Sequence, residues 1–280
     1  EPGYESGDMP GNVLNSSNLN AEIRRRLEWQ YPYRAAEGLP SKMSVTEIKE
    51  IDIGNTAEGI KTKDNTTINR AIKENAILEL PPLPDLEQYS KDFTAAEKGS
   101  IVHFVMQHLN LSLISSVFQE KNGHNYDMLL INLKQQIEDM VKKELITEKE
   151  ADVVDYEKII TFLNSEIGQR VLAAYKVKRE APFVIKKEAR KLFPDLQGHE
   201  ETILVQGIID CYFIEKKDDY ERIVLLDYKT DYVFQGRIER IKQKYQKQLE
   251  IYREALEKIL KRSVDESYIY LFDSGDIIAI

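Results

Sequence analysis

The chain has 280 residues, 42% hydrophobic and 31% charged, with a formal net charge of −9. That length holds one large domain or two modest ones around a sizeable core. The acidic balance argues against a protein that coats nucleic acid, although a metal ion can supply positive charge at a local contact. A single cysteine, Cys211, excludes a disulfide framework, a four-cysteine iron–sulfur cluster and a structural zinc of the usual kind, and it fits a reducing cytoplasm. No apolar run reaches the length needed to cross a bilayer and no secretory signal opens the sequence, so no membrane partner is expected. The first residues, Glu1-Pro2-Gly3, lack a methionine and read as the start of a segment of something longer.

Gly, Ser, Asn and Pro dominate as far as Ser17, and a charged helical stretch follows over 21–29. Ser44-Val45-Thr46-Glu47 has the S-x-x-E form of a capping box and predicts a short helix. From Asn55 to Asn75 the chain is polar and aperiodic, and Pro81-Pro82-Leu83-Pro84 is stiff and extended. Residues 1–92 therefore read as a partly irregular approach segment, and 93–280 as the main domain. A second capping box, Thr94-Ala95-Ala96-Glu97, precedes Ile101, Val102, Val105, Met106, Leu109 and Leu113 at helical spacing. Further helices follow through Gln136, Val153 and Val171.

The texture then changes. Segments 182–189, 203–214 and 222–229 are rich in Ile, Val, Leu and aromatics and predict strands, the last two joined as a hairpin by the charged stretch 215–221. A long amphipathic helix carries Ile238, Ile241, Tyr245, Leu249, Tyr252, Leu256 and Ile259 on one stripe. Segments 268–272 and 277–280 close the chain as strands. This order predicts an α/β fold around a mixed sheet.

Strand side chains alternate faces, so Asp227 and Lys229 share one face and Tyr228 takes the other. In the preceding strand Gln206, Ile208 and Asp210 share a face. A turn centred near Asp218 and Asp219 places Asp210 almost opposite Asp227. Two carboxylates and a lysine then converge at the ends of apolar strands, where repulsion and desolvation are both costly. A hard divalent cation relieves that cost and suits phosphodiester hydrolysis, by acidifying water and neutralising transition-state charge. Two strand-end acids paired with lysines on a solvated face would show the same letters.

Other residues support either reading. His103, near the start of the first core helix, is a packed or capping residue, or a metal ligand if it faces the aspartates. Lys244, Gln248 and Tyr252 share a face of the long helix, where Gln248 could bond a phosphate or the sheet carboxylates, and Tyr252 is core or a second hydroxyl partner. Arg237, Arg240, Lys244 and Lys247 lie in the most basic stretch, a DNA-backbone contact or a solvated helix face. Glu180, in Arg179-Glu180-Ala181-Pro182-Phe183, is a further acid or a strand-entry residue.

Taken in order, Gly99-x3-His103, Arg179-Glu180-x-Pro182-Phe183, Gly207-x2-Asp210, Asp227-Tyr228-Lys229 and Gln248-x3-Tyr252 resemble the RecB-type branch of the PD-(D/E)XK nuclease superfamily, across the last two-thirds of the chain. Tyr31-Pro32-Tyr33, Leu39-Pro40-Ser41-Lys42 and Ser44-Val45-Thr46-Glu47 resemble the segment that joins helicase and nuclease parts in AddA-type (RexA-type) helicase–nucleases. The resemblance implies a restriction-endonuclease-like α/β core, a mixed central sheet flanked by helices, with additional N-terminal helices. It implies Mg²⁺, with Mn²⁺ able to substitute, held by His103, Asp210, Asp227 and the main-chain carbonyl of Tyr228. Lys229 would position or activate the attacking water, with Gln248 and Tyr252 in support and Glu180 as a further acid. The implied substrate is single-stranded DNA unwound by a helicase motor, in company with a partner subunit of the AddB type. No iron–sulfur cluster is expected, and no G-x-x-x-x-G-K-[ST] loop occurs, so ATP would be used only in a helicase part outside this sequence. A stand-alone RecB-like or phage exonuclease, and a catalytically silent DNA-binding scaffold, are the rival readings.

Overall fold

The computed structural model describes residues 16–29, 38–57, 93–119, 125–193, 201–217, 220–230 and 238–280. The chain divides into two compact units, 1–39 and 40–280. In the first, helix α1 (Ser16–Leu27) carries Glu22 in exposed ion pairs with Arg25 and Arg26, at 2.8 and 2.7 Å.

The second unit is built on a six-stranded mixed sheet whose hub is β3 (Thr202–Lys217). One edge of β3 carries β2 (Lys176–Glu188), antiparallel throughout except at Glu180. The other edge is shared. β1 (Lys42–Ser44) pairs with it in parallel at 204–206, and β4 (Tyr220–Lys229) pairs antiparallel from Cys211 onward. β5 (Glu266–Leu271) continues the sheet parallel to β4, and β6 (Ile277–Ala279) closes it antiparallel to β5. Between 207 and 210 the shared edge of β3 has no strand partner among the described residues, because β1 has ended and β4 has not begun to pair.

Helices cover both faces. Helix α3 (Ala95–His108) opens at the expected capping box, in which the Glu97 amide donates to Thr94 Oγ1 at 3.2 Å and the Thr94 amide to Glu97 Oε2 at 2.7 Å. It is followed by α4 (Leu111–Gln119), α5 (Asn125–Lys142), α6 (Glu148–Asp152), α7 (Tyr156–Asn164) and α8 (Glu166–Ala173). Their apolar faces form one cluster with Cys211, Phe213, Val224, Leu226 and Tyr228 of the sheet. Helix α2 (Val45–Ala57) packs on the long helix α9 (Ile238–Leu260), and α9 lies against β2 and β4. Consequently β4 is buried at every position from Ile223 to Tyr228, as a strand covered on both faces must be. Among the described residues no single helix is long and apolar enough to cross a membrane.

Several sequence expectations shift. β2 begins at Lys176, six residues ahead of the predicted strand, and the turn residues 218 and 219 lie outside the described residues. The apolar stripe over α3 does not continue to Leu113: the helix breaks after His108, the phase resets, and Ile114 is buried in its place. On α9, Ile238 and Ile259 are exposed at the two ends, while Ile251 and Ala255 join the buried face. The largest difference concerns 42–57, read from sequence as part of the approach segment. Here the Ser44–Glu47 capping box starts α2 directly after β1, and β1 is hydrogen-bonded into the sheet. Tyr31-Pro32-Tyr33, the polar stretch from 58 and the Pro81–Pro84 segment lie outside the described residues.

Candidate active site

The site lies where β3 and β4 part. The last pair of their ladder is Cys211–Leu226, and continuing that register puts Asp210 opposite Asp227, as strand alternation predicts. Asp210 replaces the next ladder bond with its own side chain, its Oδ2 accepting the Tyr228 amide at 2.8 Å. Asp210 is 9% exposed and Asp227 is fully buried. Burial first, and the neighbouring Asp227 second, push the Asp210 carboxyl up to about 7.

Each face of the sheet contributes to this fork. From the α3 side, His103 Nδ1 lies 3.6 Å from Asp210 Oδ2 and 3.7 Å from Glu180 Oε1, with its ring edge-on to Tyr228. Burial disfavours a charged imidazole there, but the two carboxylates outweigh it, and the His103 pKa lies above its ordinary value. The helix can come this close because Gly99 faces Thr230, where a Cβ would meet the threonine Oγ1 at 2.7 Å. Arg179 ties the far end of α3 to β2, its Nη1 donating to the carbonyls of Met106 and Leu109 at 2.7 Å each.

From the α9 side, Gln248 Nε2 donates to Asp227 Oδ1 and to the Tyr252 hydroxyl, both at 3.1 Å. The Tyr252 ring stands edge-on to Phe183, and Phe183 in turn packs where Gly207 has no side chain. Lys229 Nζ is in ion-pair contact with Asp227 Oδ2 and donates to the Tyr228 carbonyl at 3.2 Å.

Glu180 is the one non-glycine strand residue of the site held at positive φ, +47°. It interrupts the β2–β3 pairing between Arg179–Cys211 and Ala181–Ile209, opposite Asp210. A β-strand residue in this conformation is strained, and the strain here directs a third potential ligand to the fork.

His103, Glu180 and Asp210 offer one ligand atom each, all within 4.8 Å of one another. Ligands about 2.0–2.2 Å from a divalent ion lie up to roughly 4.4 Å apart, so a small inward movement of these side chains would let the imidazole-and-carboxylate set hold such an ion. Asp227 is not in the group; its carboxylate is engaged by Lys229 and Gln248. The Tyr228 carbonyl, the other ligand implied from sequence, accepts from Lys229. Cys211 is fully buried, and burial pushes its thiol up to about 12, which makes it a packing residue. Of the basic residues on α9, Arg237 lies outside the described residues, Arg240 and Lys244 are exposed, and Lys247 is 3.8 Å from Glu250.

The family model for the PD-(D/E)XK nuclease superfamily matches residues 76–276. The chain belongs to this superfamily. Proteins of the superfamily are nucleases that depend on divalent metal, which agrees with the donor set at the fork. The chain is also similar to proteins whose names make them components of an ATP-dependent helicase/nuclease. It is 42% identical to that of Thermoanaerobacter sp. (strain X514) over 264 residues, which is 94% of this chain and 19% of the relative. It is 41% identical to that of Alkaliphilus metalliredigens over 256 residues, 90% of this chain and 18% of the relative. It is 38% identical to that of Clostridium acetobutylicum over 273 residues, 95% and 20% of the two. The chain thus spans about a fifth of the length of the curated relatives it matches.

Sequence reasoning passed over Arg179, Phe183 and Gly207 as positioning residues, although their letters stood in the motifs. It ranked Glu180 below Asp227 as a ligand, because nothing local in a sequence signals a strand residue at positive φ.

Proposed function

We propose that this chain is the nuclease domain of a helicase–nuclease, hydrolysing phosphodiester bonds of single-stranded DNA during double-strand-break processing and recombinational repair. The observation that supports this most is the convergence at one strand fork of His103, Glu180 and Asp210 with the Lys229–Asp227 pair. His103, Asp210 and Glu180 would hold Mg²⁺, with Mn²⁺ able to substitute, and Asp227 and the Tyr228 carbonyl would complete the set. An ion held there neutralises phosphoryl charge and acidifies water. Lys229 keeps its ammonium at the same point and orients the attacking water with its Nζ protons. Gln248 fixes Asp227 from behind, and Tyr252 fixes Gln248. The names of the relatives support a motor that delivers the strand and uses the ATP. A cytoplasmic location and a partner of the AddB type belong to the same proposal.

The test is cleavage of an end-labelled single strand. The chain should cut in Mg²⁺ and stop in EDTA, and Asp227→Ala and Lys229→Ala should each abolish cutting while the circular dichroism spectrum is retained. Normal cleavage by the Asp227→Ala protein, after EDTA treatment and restoration of Mg²⁺, would overturn the reading.

A further inference from the structure

Where β2 and β3 pair over 182–186 and 204–208, their side chains divide between two faces with different surroundings. Phe183, Ile185 and Val205 are buried on the side of α2 and α9, where Phe183 meets Tyr252 and Gly207 faces Val45. The opposite face carries Pro182, Val184, Leu204 and Ile208, and it is open: Val184 is 59% exposed, Ile208 50% and Leu204 39%. A sheet face left to water ordinarily carries polar side chains. Of the outward positions here, only Gln206 and Lys186 are polar.

The register joins these residues into one patch. Pro182 lies opposite Ile208, Val184 opposite Gln206, and Lys186 opposite Leu204. β1 adds Lys42 opposite Leu204, so Leu204 stands between two exposed lysines on the neighbouring strands. Glu188, two residues further along β2, is paired with Arg190 and Lys191. At its other end the patch runs into the fork, because the next pair beyond Pro182–Ile208 is Glu180 and Asp210, two of the three metal-donor residues. The order along the two strands is therefore metal donors, then aliphatic surface, then cations. Six residues of strand from Asp210 to Leu204 span ~20 Å, the reach of several nucleotides.

Contiguous exposed apolar surface marks an interaction site. A protein docked on these rows would stand against the fork that the substrate has to enter, whereas a single strand held at the fork continues onto them. Its bases offer flat apolar faces and its phosphodiesters suit the two lysines. We propose that the open face of β2 and β3 is the track for the single strand beside the cut, with bases lying on Pro182, Val184, Leu204 and Ile208 and the backbone held further on by Lys42 and Lys186. This rests on the nuclease reading. It makes binding tolerant of sequence, since aliphatic side chains form no hydrogen bonds with base edges.

The experiment is anisotropy of a fluorescent oligothymidylate, and of an abasic strand of the same length, on the whole 280-residue chain in EDTA, titrated with NaCl. The parent should hold the oligothymidylate more tightly than the abasic strand. Replacing Val184→Thr and Leu204→Thr together keeps residues that favour strands. This double variant should weaken oligothymidylate binding about 3- to 10-fold, the worth of the apolar area covered, leave the salt slope unchanged and leave the abasic strand at parental affinity. Lys42→Ala and Lys186→Ala should each weaken both strands and lower the slope of log K against log salt by about 0.7, the contribution of one contact to a single strand. Ile131→Thr, on α5 and also 59% exposed, should match the parent. If the threonine variant folds poorly, the lysine slopes and the parent's preference for bases over an abasic strand decide the matter. Parental oligothymidylate affinity in the threonine variant, or parental slopes in both lysine variants, would overturn the track and leave this face to a protein partner, with the nuclease reading intact. Absence of DNA binding by the parent would overturn it too, whereas the nuclease reading fails separately, on absence of metal-dependent cleavage.

Discussion

The Asp210 carboxylate accepts the Tyr228 amide at 2.8 Å, so a side chain closes the β3–β4 ladder where a main-chain carbonyl would ordinarily do so. One oxygen is thereby committed to the fold, and the same carboxylate stands next to His103 and Glu180. The residue joins strand pairing to the donor set, and the two roles can be separated by substitution.

Asp210→Asn keeps an acceptor for the amide and removes the charge that Asp227 and burial both oppose. It should leave the metal-free chain as stable as the parent or more so, and it should abolish the rise in melting temperature on adding Mn²⁺. Asp210→Ala orphans a buried amide and should cost about 1–3 kcal/mol. Thermal unfolding of both variants, with and without Mn²⁺, checks the distinction.

Glu180 is held at φ +47°, a conformation that costs about 1–3 kcal/mol for a residue with a Cβ. Glycine at this position removes the strain and one carboxylate from the fork, against an unfolded-state entropy cost of about 0.5–1 kcal/mol. Glu180→Gly should therefore stabilise the metal-free chain by roughly 0–2.5 kcal/mol and weaken Mn²⁺ binding. Lys178→Gly, on the same strand, should only destabilise. Paired urea melts and calorimetric Mn²⁺ titrations read both effects.

The pH dependence of the metal-free chain follows from Asp210 and His103. Burial and Asp227 push the Asp210 carboxyl up to about 7, and the His103 pKa is raised as well, by carboxylates that outweigh its burial. Between the ordinary carboxylate range and pH 7 the folded chain holds a proton on Asp210 that the unfolded chain has lost. The Asp210 contribution is therefore complete below about pH 4 and disappears as pH rises through 7, by at most about 1.4 kcal/mol per pH unit. His103 adds a loss of the same sign at the upper end. A divalent ion replaces those protons, so the Mg²⁺-induced rise in melting temperature should be small at pH 5 and large at pH 8. A rise that shrinks with increasing pH would contradict this linkage.

Gly207 has no room for a methyl group: a Cβ would lie 2.9 Å from the Phe183 ring and 2.9 Å from Val45 Cγ2. Phe183 supports Tyr252, which with Gln248 backs Asp227. Gly207→Ala should cost about 1–3 kcal/mol and slow cleavage at temperatures where the variant is fully folded. Urea melts and single-turnover rates separate the two losses.

Much of this arrangement was legible in the sequence because it rests on short-range rules. Alternation along 222–229 set Asp227 and Lys229 on one face, and the hairpin register set Asp210 opposite Asp227. Helical spacing put Gln248 and Tyr252 together, and the mixed sheet followed from the order of elements. What escaped depends on contacts between distant segments. β1 is three residues long, and only its pairing with 204–206 makes it a strand. The positive φ of Glu180 is imposed by β2 and β3 together. The meeting of Lys49 with Tyr245 requires α2 to be docked first, and a segment read as a linker gives no reason to dock it. Even the α3 stripe failed only where the helix broke after His108 and local periodicity no longer described one face.

The most direct test of the site is anomalous diffraction from crystals of the chain grown with Mn²⁺. One peak is predicted at the β3–β4 fork, roughly 2.0–2.3 Å from His103, Glu180 and Asp210 ligand atoms, and absent from crystals of Asp210→Asn. A chain that cuts DNA in Mn²⁺ while its only peak lies away from these three residues would contradict the account.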